Sequence, residues 1–235
     1  EEESFFQDRE AKKEGSNWFV ADNVKWPAAG TVSFYAYAPY NVSSLQWKGD
    51  DKVAQNKTIH YKVPENVEEQ PDFIVANSEG KSFNSSSANT PVDLQFSHAL
   101  TAITFSVSDD MEKGKINSIT IEGVKGEGDY DLSGNKWDLS KSTAAGSYTV
   151  SFTEDEGNVV GQRALTGGAN DNKVLMMIPQ KLVDDAKVTI YFTPTGKSEK
   201  KASFSLGGTT WAPGSHVTYV LSTTKMLNLN MGTIT

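Results

Sequence analysis

Val92-Asp93-Leu94-Gln95-Phe96-Ser97-His98-Ala99-Leu100-Thr101-Ala102-Ile103-Thr104-Phe105-Ser106-Val107 decides the fold class. Apolar residues recur at alternate positions on both sides of its centre, the period of a strand with one buried face. Val92, Leu94 and Phe96 are even-numbered, whereas Ile103, Phe105 and Val107 are odd. A one-residue shift turns a strand's apolar side to the opposite face, so a bulge, a bend or a switch between sheets lies within Ser97 to Ala102. His98 stands at that change of phase, where a ring nitrogen can satisfy polar groups that the bend leaves unpaired.

The same period extends outward in both directions. It marks Val32-Ser33-Phe34-Tyr35-Ala36, Ile59-His60-Tyr61-Lys62-Val63, Ile119-Thr120-Ile121 and Tyr148-Thr149-Val150-Ser151-Phe152. It returns in Val188-Thr189-Ile190-Tyr191-Phe192, Ala202-Ser203-Phe204-Ser205-Leu206 and Val217-Thr218-Tyr219-Val220-Leu221. Val174 to Ile178 is apolar throughout, as a strand buried on both faces is. No stretch holds a helical period for the ~10 residues a helix needs, and Gly, Asn, Asp and Pro separate the runs. The fold class is all-β. Asn77 to Pro91 and Ser133 to Gly146 are loop-like stretches at which domains could divide.

With 235 residues the chain can form two compact domains or one large sandwich. It contains no cysteine, which excludes a disulfide framework, thiolate zinc sites and a cysteine nucleophile. The net charge is -8, and Arg9 and Arg163 are the only arginines, so no basic footprint for nucleic acid is present. No apolar run approaches the roughly 20 residues that cross a bilayer. Glu1-Glu2-Glu3-Ser4 is unlike a signal peptide, so an exported chain is expected to have lost its signal already.

Chemistry-bearing patterns are sparse. His60, His98 and His216 lack the short spacing of a metal pair, and neither a nucleophile elbow nor a phosphate loop occurs. His60 falls on the polar side of its run and is read as solvated, and His216 simply precedes a strand. Gly123, Gly126 and Gly128 mark a turn. Asp129-Tyr130-Asp131-Leu132-Ser133-Gly134 imitates the opening of a calcium loop, but its twelfth position is Ser140 in place of a bidentate Glu. A strand end and turn, with Tyr130 and Leu132 inward, accounts for it. No metal, no cofactor and no catalytic group is expected. Trp18, Trp26, Trp47, Trp137 and Trp211 could stack on sugars. Packing is expected for Trp26, Trp137 and Trp211, and Trp47, in the polar run Ser43 to Lys52, is the candidate for an exposed stacking ring.

Several segments resemble, in order, the fimbrillin family of Bacteroidales surface fimbriae, the type V pilins that include the Mfa-like major and minor subunits. They are Trp26-Pro27 with Val32 to Tyr40, the Val92 to Phe105 pair, Gly128 to Leu132 with Trp137, Met177-Ile178-Pro179-Gln180, and Trp211-Ala212-Pro213-Gly214 with Tyr219. The resemblance spans about residues 18 to 221. It implies two transthyretin-like β-sandwich domains in tandem, with a boundary in Ser133 to Gly146, so that residues 1–138 and 139–235 are the expected domains. It also implies a lipoprotein precursor on the outer membrane, held only by a lipid anchor, and a fimbrium outside the cell. A trypsin-like protease then cuts after an arginine and removes a leading strand. The expected lipid-bearing cysteine and most of the leading strand are not in the sequence, so the chain is read as processed or trimmed; Arg9 is the one arginine near the start, but Glu1 to Asp8 is too acidic for the displaced strand, and a processing site upstream of Glu1 is the alternative.

Assembly of this kind inserts a donor strand from one subunit into the groove of another. Removing a strand leaves an apolar groove with unpaired backbone groups, and an added strand restores the ladder. Met226 to Thr235 has the required pattern, because Leu227, Leu229 and Met231 alternate with Asn228 and Asn230. Burying three such side chains at ~1.5–3 kcal/mol each supplies several kcal/mol. The alternative reading of the run is an ordinary last strand closing the C-terminal domain. The resulting expectation is a structural or tip subunit of a bacterial fimbria, meeting other subunits and a host or bacterial surface ligand. A carbohydrate-binding surface module is the alternative.

Overall fold

A computed structural model describes residues 7–20, 25–27, 29–49, 57–82, 91–153, 155–159, 163–167, 173–222 and 226–233. Among them the strands are β1 (Ala11–Glu14), β2 (Asn17–Val20), β3 (Val32–Ala38), β4 (Leu45–Trp47), β5 (Thr58–Lys62), β6 (Ile74–Lys81) and β7 (Ser97–His98). Next come β8 (Thr101–Val107), β9 (Gly114–Val124), β10 (Glu127–Asp131), β11 (Lys136–Asp138), β12 (Gly146–Ser151), β13 (Asn158–Val159) and β14 (Arg163–Ala164). The series ends with β15 (Leu175–Met177), β16 (Lys187–Pro194), β17 (Lys200–Ser205), β18 (Ser215–Leu221) and β19 (Met226–Thr233). The only helical turn among the described residues is the 3-10 turn Val67–Glu69, where the Asn66 side chain accepts from the Glu68 amide. The chain is all-β.

By contacts the chain separates into two compact units, and each is discontinuous in sequence. One comprises Glu1–Tyr61, Phe73–Ser97 and Asp129–Asp138; the other comprises Lys62–Asp72, His98–Gly128 and Leu139–Thr235. A unit edge falls at 138/139, where the sequence reading divided the chain, but residues 62–72 and 98–128 group with the C-terminal part. Hydrogen bonding explains why. β9 lies between β12 and β16, and β8 lies beside β18, so early and late strands complete the same sheets.

In the second unit the order β12-β9-β16-β17 turns sequence alternation into two unlike faces. Tyr148, Ile121, Val188 and Phe204 stand abreast, as do Val150, Ile119, Ile190 and Ala202. The intervening row is Thr149, Thr120, Thr189 and Ser203, joined by hydroxyl hydrogen bonds of 2.8 Å from Thr120 to Thr149 and 3.1 Å from Thr189 to Ser203. Ile119 and Ile121 have no exposed surface. One apolar and one polar side is what an antiparallel sheet with a single buried face requires.

The other sheet of this unit runs β14-β8-β18-β19, with β15 also on β8. Here β8 and β18 pair in parallel, from His216 beside Ala102 to Leu221 beside Val107. Both faces of β8 are covered, since Ala102 and Thr104 are buried along with Ile103, Phe105 and Val107. The apolar run at β15 is likewise buried from Leu175 to Ile178. Trp211 is packed away and donates its indole N–H to Tyr219 Oη at 3.0 Å, which satisfies the ring's only polar atom.

The first unit contains β11-β10-β5-β4, β3-β6-β7 and the hairpin β1-β2. The hairpin closes through the two-residue turn Gly15-Ser16, with Gly15 at φ 62°, a backbone state that glycine adopts without steric cost. An aromatic cluster fills the core between strands. Phe73 meets Tyr130 edge-on at 5.5 Å, Trp137 meets Tyr130 at 5.1 Å, and Tyr61 stacks on Phe73 at 6.1 Å.

The change of phase in Ser97 to Ala102 is a switch between sheets: β7 pairs with β6, while β8 joins β18. Residues 91–96, whose alternation predicts a strand, are not one. Ladder bonding in this stretch begins only at Ser97, and Phe96 remains 45% exposed. Alternation shows which side of a segment is apolar; a strand also needs a neighbouring backbone to bond.

Candidate functional site

The terminal strand β19 pairs antiparallel with β18 and forms the edge of its sheet. Leu227 stands opposite Val220 and Leu229 opposite Thr218, whereas Asn228 stands opposite Tyr219 and Asn230 opposite Val217. Residues directly opposite each other occupy the same sheet face. The asparagine positions therefore share a sheet side with Val217 and Tyr219, and the leucine positions share one with Thr218 and Val220; Val217, Tyr219 and Val220 are all buried. Met231 lies where the register shifts, between Val217↔Asn230 and Ser215↔Thr233.

Arg9 is exposed, two residues before β1. Trp47, expected to be the open ring, is half-buried at the end of β4. Its indole Nε1 is enclosed, and the backbone of Gly49 lies against the ring so closely that a Cβ there would come within 2.1 Å of Cε2. The open indole is Trp18, 67% exposed on β2 beside the half-exposed Phe19. Sequence reading did not single out Trp18, because the exposure of a ring depends on what packs over its strand, which local composition does not record. Trp26 packs edge-on against Phe34 at 5.5 Å, and Trp137 and Trp211 pack as expected.

The histidines occupy three separate hydrogen-bonded pairs. His60 lies on the polar side of β5, yet its Nδ1 is 2.7 Å from Asp129 Oδ1. It is partnered as well as partly solvated. His98 Nδ1 is 2.8 Å from Asp72 Oδ1, and His216 Nε2 is 2.9 Å from Thr104 Oγ1, which also bonds Thr218. In the calcium-like stretch Tyr130 and Leu132 are buried, and Asp131 Oδ1 accepts from the amide and hydroxyl of Ser133. Partial burial opposes ionisation there, but the bonds from Ser133 and the Gly134 amide, with Lys136 nearby, hold the Asp131 carboxyl below the usual range. Among the described residues no group of three or more His, Asp or Glu side chains is arranged to hold a metal ion. No described helix is long and apolar enough to cross a membrane.

A family model described as fimbrillin-like matches residues 1–235. Among solved structures, the fold is similar to that of a Bacteroides ovatus protein assigned to cell adhesion, with a TM-score of 0.57 and 14% identity over 93% of this chain and 72% of that one. It is also similar to a cell adhesion protein from Bacteroides uniformis, with a TM-score of 0.51 and 16% identity over 93% of this chain and 80% of that one. At these identities the likeness concerns the fold. No curated protein matches the sequence.

Proposed function

The chain belongs to the fimbrillin-like family, and we propose that it is a structural or tip subunit of a bacterial surface fimbria, assembled by donor-strand exchange and serving adhesion. The observation that carries this reading is the place of β19. Among the described residues it is the last strand and lies at a sheet edge, paired with β18. An edge strand can leave by breaking one ladder only, here that with β18, and the alternating run Leu227, Leu229, Met231 suits an apolar groove in a second subunit.

The partners in this reading are other fimbrial subunits, and the place of action is the cell surface, reached through a lipid anchor on the outer membrane. Deleting Met226 to Thr235 tests it directly. The truncated chain is expected to stay folded by circular dichroism and to form no polymer; polymers as long as those of the full chain would count against donation.

A carbohydrate-binding role is a second reading, favoured by the 67% exposed ring of Trp18. An open indole face offers apolar area to a pyranose. Binding on a glycan array that disappears in Trp18→Ala supports it, and an array without any bound glycan removes it.

A further inference from the structure

We propose that Tyr37 and Tyr40 latch the N-terminal segment at Asp8 and so withhold the Arg9–Glu10 peptide bond from trypsin-like proteases. The two tyrosines stand on either side of the cis Ala38–Pro39 bond at the end of β3, with ring centroids 6.3 Å apart. Tyr37 Oη donates to Asp8 Oδ1 at 2.6 Å, and Tyr40 Oη donates to the Asp8 carbonyl oxygen at 3.1 Å. Asp8 is held twice, once by its side chain and once by its backbone. The bond to a carboxylate is the stronger kind, and that to a neutral carbonyl the weaker. Burial first, and the Asp8 carboxylate second, push the Tyr37 phenol well above its ordinary range, so the hydroxyl keeps its proton and remains the donor.

The latch fixes more than position. Asp8 has φ 45°, in the left-handed region that short polar side chains tolerate when they bond locally. A protease takes the residues around its scissile bond as an extended strand and bonds their backbone to an edge of its own. Asp8 is not extended, and its carbonyl is already engaged. In this proposal what limits cleavage is the backbone geometry at Asp8. Hydrolysis, in which water adds across the bond to leave an Arg9 carboxylate and a Glu10 amine, must wait for local opening. Its rate follows the population of the opened state.

The inference stands apart from strand donation, since it concerns only access to one bond. Limited trypsin digestion of the full chain, followed by mass spectrometry, reads cleavage after Arg9 against cleavage after Lys197 in the β16-β17 turn of the other unit. Tyr37→Phe, which removes one hydroxyl and leaves the cleavage sequence unaltered, is expected to raise the Arg9 rate about tenfold. Tyr40→Phe is expected to raise it by a smaller factor, with the Lys197 rate unchanged in both variants. Equal Arg9 rates in wild type and both variants would overturn the proposal. So would a parallel rise at Lys197, which marks general loosening.

Discussion

Gln180 is buried, and every polar atom of its side chain is used. Its Oε1 accepts from the Lys125 amide at 2.8 Å, and its Nε2 donates to the carbonyls of Lys125 at 2.9 Å and Ile178 at 3.0 Å. The amide group replaces a missing stretch of ladder, so Gln180→Ala leaves the Lys125 amide and carbonyl unmatched. A loss of about 2 kcal/mol or more in urea unfolding is expected. The Glu156 carboxyl is held down to about 2, first by the hydrogen bond from Lys173 Nζ at 2.7 Å and then by the Thr153 amide. A carboxyl with a depressed folded value stabilises the fold above its unfolded value, near 4.5. That contribution is lost as pH falls from about 4.5 towards 2, and Glu156→Gln is expected to flatten the acid limb of the stability curve there. Residue types were legible in the sequence, but not their partners. His60 and Asp129 lie 69 positions apart, and nothing local announces that they meet.

At the scale of elements, β17 shows how an edge is kept from pairing. Lys200 and Lys201 are exposed on it, and charged residues on an edge strand oppose pairing with another chain. Replacing both with valine is expected to produce concentration-dependent association by light scattering, with the fold retained. Most strands were legible because alternation reports directly on a half-buried sheet, as at β3, β5, β12, β16, β17 and β18. Short pieces such as β13 and β14, two residues each, carry no period and escaped notice. The change of phase after Ser97 was visible as a shift in parity. That it is a switch of sheets depends on β18, more than a hundred residues later.

For the whole molecule, that long-range pairing is the part local pattern cannot supply. Parallel β8 and β18, and β9 between β12 and β16, mix early and late strands in common sheets and leave β19 as an edge. The family and its fimbrial character were legible from ordered motifs, while the register of β19 was not. The account's central claim is that β19 leaves β18 to join another subunit. Because the chain has no native cysteine, Ser215→Cys with Thr233→Cys, which stand opposite each other, can lock β19 in cis with one disulfide. Polymer length of this variant, measured by electron microscopy with and without reductant, tests the claim most directly. The oxidised chain should remain monomeric and the reduced chain should polymerise; equal polymers from both would contradict donation of β19.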